Sequence, residues 1–207
     1  PLHLSDSRDF GDEIDRLDAM LDRPQRVLVR LTPGIKPSTH SYVQTGQLDS
    51  KFGFGLESGA AAQAVERIMA SEHLELVGLH AHIGSQIFEL EPFERAVEAI
   101  ADFSRDHAPH PELVNVGGGL GIAYASADEP PSIASYVAAK VGAVRRAFGD
   151  GPRVLLEPGR SLVGNAGLTI YEVGTVKQVT IGPDTTLMDV EVGPRADGMK
   201  PPSAQKV

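Results

Sequence analysis

Short apolar runs alternate with amphipathic segments along most of this chain, and the alternation constrains the fold more than any other feature. Each run has the length of a buried strand, and in each amphipathic segment apolar residues recur three and four positions apart, as on one face of a helix. A strand that follows a helical crossover lies parallel to the strand before it. The sequence therefore predicts an α/β fold with a parallel sheet. The predicted strands begin at Leu2, Val27, Leu76, Leu113 and Arg153.

Four helices are predicted between these strands. In the third of them, Phe93, Val97 and Ile100 lie on one apolar stripe. A polar segment over 35–57 separates the second strand from the second helix, and its length is typical of a functional loop. The predicted helices cover residues 9–21, 58–70, 91–107 and 132–148.

The pattern changes after Arg160. Residues 168–179 and 186–192 are rich in Thr, Val and Ile, and no helical segment separates them. These two stretches predict antiparallel strands. We therefore expect one α/β domain over 1–165 and the start of a β domain over 166–207.

Composition excludes several classes of function. The chain has 19 Lys and Arg against 28 Asp and Glu, a net charge of −9 and no basic run, which argues against a nucleic-acid surface. It has no cysteine, so disulfides, thiolate metal sites and a cysteine nucleophile are excluded within its 207 residues. The absence of cysteine is typical of a cytoplasmic protein, and no apolar stretch approaches the ~18 residues that a membrane span needs.

Four of the predicted strands end in short polar or glycine-bearing turns. In parallel α/β folds, the loops at the carboxyl ends of the strands bind ligands and carry catalysis. Glycines let backbone N–H groups approach an anion, and the Ser85 hydroxyl adds a donor, so these turns predict a phosphate site. Glu157 and Arg160, taken alone, are equally consistent with a surface ion pair. The four turns are residues 32–34, 82–85, 117–119 and 157–160.

His80 and His82 lie two positions apart on the strand predicted over 76–85, so their side chains share one face. Two imidazoles on one face can bind zinc, and a metal-dependent barrel hydrolase using both is one alternative. No other histidine lies at a predicted strand end, so we expect no metal. The same residues instead fit a pocket for pyridoxal phosphate. An imidazole would lie beside the aromatic ring of that ligand, Glu157 would lie at the edge of the ring, and the glycines would surround the phosphate.

Four strings carry a resemblance to a known family. They are Asp-Ser-Lys-Phe-Gly over 49–53, Gly-Leu-His-Ala-His-Ile-Gly-Ser-Gln over 78–86, Val-Gly-Gly-Gly-Leu-Gly over 116–121 and Glu-Pro-Gly-Arg over 157–160. In this order they resemble the alanine-racemase-like (fold type III) pyridoxal-phosphate-dependent decarboxylases, and the likeness runs from about Leu2 to Lys177.

The resemblance implies a pyridoxal-phosphate-binding (β/α)8 TIM barrel, with about five of its eight βα units in this chain, followed by a β domain. It implies a cytoplasmic homodimer with active sites at the subunit interface. The implied reaction removes CO2 from meso-2,6-diaminopimelate to give L-lysine, the last step of lysine biosynthesis. Another basic amino acid is the alternative substrate.

The same resemblance implies a role for each site residue. His82 would stack on the pyridine ring and Glu157 would face the pyridine nitrogen, so both are expected to be catalytic. Arg160 would also bind a substrate carboxylate, and Lys51 would be structural or line the site. The expected cofactor-binding residues are His82, Ser85, Gly118, Gly119, Glu157, Pro158, Gly159 and Arg160.

The resemblance also implies parts that this sequence does not contain. The family carries its Schiff-base lysine on an early barrel strand, whereas no lysine precedes Val27, and residues 2–5 would be the fourth strand. The family's later Cys and Tyr motifs are absent as well, and residues 188–193 depart from its Asp-Gly-Gly pattern. We therefore expect a fragment that is inactive by itself. A non-catalytic binding fragment is the remaining alternative.

Overall fold

The computed structural model describes residues 2–4, 12–35, 52–168, 170, 175–180 and 186–191. The chain forms two compact units, Pro1–Asn165 and Ala166–Val207. Lys51 and most of the predicted loop over 35–57 lie outside the described residues.

The first unit contains a parallel sheet. Its strand order is β1-β2-β4-β5-β6, with β3 paired to the end of β2, and every pair is parallel. The predicted α/β fold with a parallel sheet is therefore confirmed. The strand β3 was not predicted, because two residues are too few to show an alternating pattern. The strands are β1 Leu2–Leu4, β2 Gln25–Thr32, β3 Phe54–Gly55, β4 Leu74–Ala81, β5 Leu113–Asn115 and β6 Arg153–Leu155.

The helices follow the apolar stripes of the sequence. Ser132 caps α4, since its hydroxyl accepts the N–H of Ser135 at 3.0 Å. The five-residue α5 was not predicted, because Pro158 and Gly159 indicate a turn and the segment is too short to show a helical period. No helix in the described part of the chain has the length and apolar character of a membrane span. The helices are α1 Asp12–Met20, α2 Ala60–Ala70, α3 Glu91–His107, α4 Ile133–Phe148 and α5 Gly159–Val163.

The strands β4, β5 and β6 end earlier than the sequence predicts. The prediction placed His82 within a strand, whereas β4 ends at Ala81 and His82 is the first residue after it. The ladder between β4 and β5 stops at the pair His80↔Asn115. Gly117 then takes φ +60°, which is not an extended conformation, so the regular ladder does not continue to His82 although the two segments remain close. His82 and the glycines 117–119 therefore lie in loops.

The core lies where α2 packs on the sheet. Val29 and Leu31 of β2 are buried in a cluster with α2, whereas Leu28 packs with Leu113. Because successive residues of a strand face opposite sides, Leu28 and Arg30 share the face that α2 does not cover. The cluster on the helix side includes Val27, Val29, Leu31, Val65, Ile68 and Leu79.

The second unit contains the strands β7 Thr175–Thr180 and β8 Thr186–Glu191. They are antiparallel, as the sequence predicts, and their register runs from Thr175↔Glu191 to Thr180↔Thr186. The first strand starts later than predicted, since Leu168 and Ile170 are exposed and belong to no strand.

Candidate active site

Three loops meet at the carboxyl end of the sheet, where they follow β4, β5 and β6. The amide of Glu157, after β6, donates to the carbonyl of Gly117, after β5, at 2.9 Å. The amide of Ile87, after β4, donates to the carbonyl of Gly119 at 2.9 Å. The loop after β5 is thus bonded to both neighbouring loops, and the turns predicted at these three strand ends lie side by side.

The loop after β5 passes so close to its neighbours that it has no room for side chains. A Cβ at Gly117 would lie 2.5 Å from the carbonyl oxygen of Ala81, and a Cβ at Gly118 would lie 2.2 Å from that of Glu157. Gly119 has φ +108°, which glycine adopts without strain. The three glycines therefore allow the strand ends to converge on a narrow backbone cradle.

A polar row crosses the face of the sheet that α2 does not cover. The register pairs Arg30 with His80 and His80 with Asn115, so these three side chains point to the same side. His80 and Asn115 are each only 2% exposed. The row leads to Glu157, because Asn115 Nδ2 donates to Glu157 Oε1 at 2.7 Å and His80 Nε2 lies 3.8 Å from Glu157 Oε2. Side chains of the neighbouring strands β4 and β5 therefore contact the carboxylate of Glu157 and position it.

His82 lies against the glycine loop as a neutral imidazole. The N–H of Gly118 donates to His82 Nδ1 at 3.2 Å, and a nitrogen that accepts this bond carries no proton. The pKa of His82 is lowered, first by burial and then by the charges of Arg30 and Lys140, while Glu157 opposes the shift. The lowered pKa thus favours a neutral ring, and the bond from Gly118 places the ring proton on Nε2.

Ser85 and Arg160, both predicted to hold the phosphate, are brought together by the fold. Arg160 Nε donates to Ser85 Oγ at 3.1 Å. The Arg160 guanidinium also donates to the Tyr124 hydroxyl, and its carbon lies 5.9 Å from the centre of the Tyr124 ring. Among the described residues, a Cβ at Gly159 would meet nothing within 4 Å. Hydroxyl and guanidinium donors therefore lie beside the cradle, next to an aromatic ring that the sequence did not single out.

Lys140 and Tyr136 are the residues that sequence reasoning missed. Both lie on α4 and are buried, at 1% and 0% exposure, with the lysine ammonium behind the glycine loop. The available signal was a lysine on the apolar stripe that also carries Tyr136 and Val144, four residues before and after it. Burial lowers the pKa of Lys140 to about 7, against the opposing charge of Glu157.

The other residues considered as candidates from the sequence lie away from this site or outside the described residues. His107 ends α3 and stacks near Phe103, with ring centres 4.7 Å apart, and His110 follows in the turn. Lys51 is among the residues not described. Within the described ranges, no group of three His, Asp or Glu side chains could hold a metal ion.

The arrangement fits pyridoxal phosphate, the cofactor that the resemblance implies. His82 presents a flat neutral ring, and Glu157 presents a carboxylate suited to a protonated ring nitrogen. The glycine cradle would be filled by any Cβ, and the donors of Ser85 and Arg160 suit an anionic phosphate.

Comparison with known proteins agrees with this fit. Diaminopimelate decarboxylase of Mycobacterium tuberculosis is 44% identical over 185 residues, which cover 82% of this chain and 41% of that protein. The enzyme of that name from Bacillus subtilis is 48% identical over 162 residues, covering 74% of this chain and 37% of the relative. The chain thus spans about two fifths of the length of these curated relatives.

Solved structures give the same result. A diaminopimelate decarboxylase from M. jannaschii aligns with a TM-score of 0.65 and 32% identity, over 86% of this chain and 42% of that chain. The Helicobacter pylori enzyme in complex with L-lysine aligns with a TM-score of 0.63 and 29% identity, over 87% of this chain and 44% of that chain. The α/β unit therefore has the barrel-type fold of these decarboxylases.

The family itself is identified by a match over most of the chain. Residues 7–164 match the family described as "Pyridoxal-dependent decarboxylase, pyridoxal binding domain". This stretch includes all three loops of the cradle and the polar row beneath them. The chain therefore belongs to the pyridoxal-dependent decarboxylases, within the pyridoxal binding domain of that family.

Proposed function

We propose that this chain is part of an enzyme that decarboxylates meso-2,6-diaminopimelate to L-lysine with pyridoxal phosphate. The observation that carries the proposal is its 44–48% identity to curated diaminopimelate decarboxylases. An alignment over 82% of the chain necessarily includes the loops on which His82, the glycines 117–119 and Glu157 lie. An α/β domain over 1–165 and the start of a β domain over 166–207 belong to the same proposal.

When bound, pyridoxal phosphate supplies an electron sink for the electron pair left at the carbon that loses CO2. Glu157 keeps a proton on the pyridine nitrogen, because a carboxylate there favours the charged ring. Asn115 orients that carboxylate through its bond to Oε1. His82, held neutral, stacks on the ring without adding a charge beside it.

The remaining site residues are proposed to bind the anionic groups of the substrate and the cofactor. Arg160 has a guanidinium whose fork suits bidentate contact with a substrate carboxylate, and it already contacts Ser85. The residues proposed to bind the phosphate are Ser85, Gly118, Gly119, Pro158, Gly159 and Arg160.

The complete enzyme is proposed to be a cytoplasmic homodimer, as the sequence resemblance implies. Its Schiff-base lysine is proposed to lie on a barrel strand upstream of Pro1. We use the term extended enzyme for this chain together with that upstream segment.

The test is an assay of CO2 release and L-lysine formation with pyridoxal phosphate. We expect the extended enzyme to convert meso-diaminopimelate and the 207-residue chain alone to release no CO2. LL-Diaminopimelate, L-ornithine and L-arginine are assayed in parallel. Faster turnover of ornithine or arginine would assign another basic amino acid as substrate. Bound zinc, hydrolytic activity and no bound pyridoxal phosphate would contradict the proposal and favour the metal-dependent hydrolase.

A further inference from the structure

Lys140 places a buried ammonium group directly behind the glycine loop. Its Nζ donates to the carbonyls of Val116 at 2.6 Å, Gly118 at 2.9 Å and Gly117 at 3.1 Å. It also lies 2.7 Å from the Tyr136 hydroxyl. An ammonium has three N–H donors, so one lysine can serve three consecutive carbonyls.

Those three carbonyls belong to the peptide groups whose N–H bonds point to the other side of the loop. In a planar trans peptide, C=O and N–H point in opposite directions, so fixing the carbonyl also fixes the amide. The carbonyl of Val116 belongs to the same peptide group as the N–H of Gly117. That N–H donates to Asn115 Oδ1 at 3.0 Å. The carbonyl of Gly117 belongs to the same peptide group as the N–H of Gly118, and that N–H donates to His82 Nδ1.

The amides of Gly117 and Gly118 both lead to a proposed cofactor contact. Asn115, which accepts from Gly117, donates through its other amide atom to Glu157 Oε1. Gly118 fixes the unprotonated nitrogen of His82. Lys140 therefore stands one peptide group away from both His82 and the partner of Glu157.

We propose that Lys140 is a positioning residue of the cofactor site, which orients the glycine loop so that its amides set the tautomer of His82 and the orientation of Asn115 and Glu157. The proposal rests on the function proposed for His82 and Glu157. Lys140 touches neither substrate nor cofactor, and it acts through the peptide groups that join Val116, Gly117 and Gly118.

The energetics distinguish this role from ordinary core packing. Taking an ammonium out of water costs stability, and an apolar side chain of similar size would avoid that cost. The ring of Phe93, 4.3 Å away, and the Tyr136 ring, 4.5 Å away, partly offset it by cation–π attraction. Among the described residues, the charged or titratable groups that face Lys140 are Tyr136 on its own helix, His82 after β4 and Glu157 after β6.

The test replaces Lys140 by an uncharged side chain of similar length and follows His82 in protein free of pyridoxal phosphate. In the wild type, ¹⁵N NMR of the imidazole is expected to show one neutral tautomer with its proton on Nε2. In Lys140→Met we expect a mixture of both tautomers. Arg146→Met is the matched control, because Arg146 lies on the same helix and is exposed, where it pairs with Glu94 at the surface.

A second readout uses the affinities for pyridoxal phosphate and for pyridoxine, which lacks both the phosphate and the aldehyde. Lys140→Met should weaken the binding of both by about tenfold, since each needs the oriented ring partner, and Arg146→Met should change neither. An unchanged His82 tautomer together with unchanged affinities would overturn the proposal. Because the NMR readout needs neither cofactor nor substrate, failure of the decarboxylase assay and failure of this inference are distinguishable.

The wild type provides a measurement that does not depend on any variant folding. When the ¹³Cε signal of Lys140 titrates, the amide signals of Gly117 and Gly118 and the imidazole of His82 should shift with the same midpoint. Glycine amides that stay constant through the lysine titration would contradict the proposal even if Lys140→Met fails to fold.

Discussion

Asn115 Nδ2 donates a hydrogen bond of 2.7 Å to Glu157 Oε1, and this contact joins β5 to the loop after β6. The other atom of the same amide, Oδ1, accepts the N–H of Gly117 at 3.0 Å. The carboxylate of Glu157 is therefore oriented by a strand other than the one it follows. A neutral glutamine at position 157 can accept the same bond, so its charge can be removed while the contact is kept.

Glu157→Gln in the extended enzyme should lower kcat by about 100-fold and change the affinity for pyridoxal phosphate far less. The amide cannot keep a proton on the pyridine nitrogen, whereas the phosphate contacts are untouched. Steady-state kinetics and a cofactor titration measure the two effects. Glu98→Gln, an exposed change on α3, is the control. Near-normal turnover in the Glu157 variant would contradict the role assigned to this residue.

His82→Ala should lower the affinity for pyridoxal phosphate by about tenfold, because the ring loses its stacking partner. kcat should fall as well. His107→Ala and His110→Ala are matched controls around the end of α3, and both should leave cofactor affinity and kcat unchanged. Equal losses in all three variants would show that the position of His82 after β4 has no special importance.

Gly118→Ala should destabilise the fold by about 1–3 kcal/mol, since the added methyl group would meet the Glu157 carbonyl oxygen at 2.2 Å. Gly151→Ala is the control, because a Cβ there would meet no described atom within 4 Å. Urea unfolding of both variants measures the difference. A loss at position 151 equal to that at position 118 would exclude the close approach of the loops as its cause.

The lowered pKa of Lys140 predicts a specific dependence of the free energy of unfolding on pH. Its pKa is about 7 in the folded chain, against 10.5 for an ordinary lysine, because burial disfavours the ammonium. Between these values the unfolded chain binds more protons, so the free energy of unfolding rises with pH. The stability that this pKa difference contributes is fully present above the pKa of the unfolded state. It is lost as the pH falls through the pKa of the folded state.

Measured as the difference between wild type and Lys140→Met, the free energy of unfolding should rise by roughly 3 kcal/mol from pH 7 to pH 10. Subtracting the variant cancels the titrations that both proteins share. Arg146→Met, which alters an exposed cation, should give a flat difference over the same range. A flat difference for Lys140→Met as well would mean that its folded pKa is not lowered.

Local patterns carried the prediction of the elements. The stripe that includes Phe93, Val97 and Ile100 predicted α3 with its observed bounds, because a 3.6-residue period is a property of neighbouring residues alone. The apolar runs predicted the parallel strands, although β4 ends before His82. Where a ladder stops depends on the neighbouring strand, and here that strand leaves the extended conformation at Gly117.

The sequence by itself determined the order of the elements other than β3 and α5, and the strings that place His82, the glycines 117–119 and Glu157 at adjacent strand ends. Only the tertiary structure decided what holds them there. Asn115 and Glu157 are 42 residues apart, and Lys140 lies 22 residues or more from the carbonyls it binds. Such contacts follow from the strand register and from the packing of α4 behind the loop, and no short-range pattern encodes either of them.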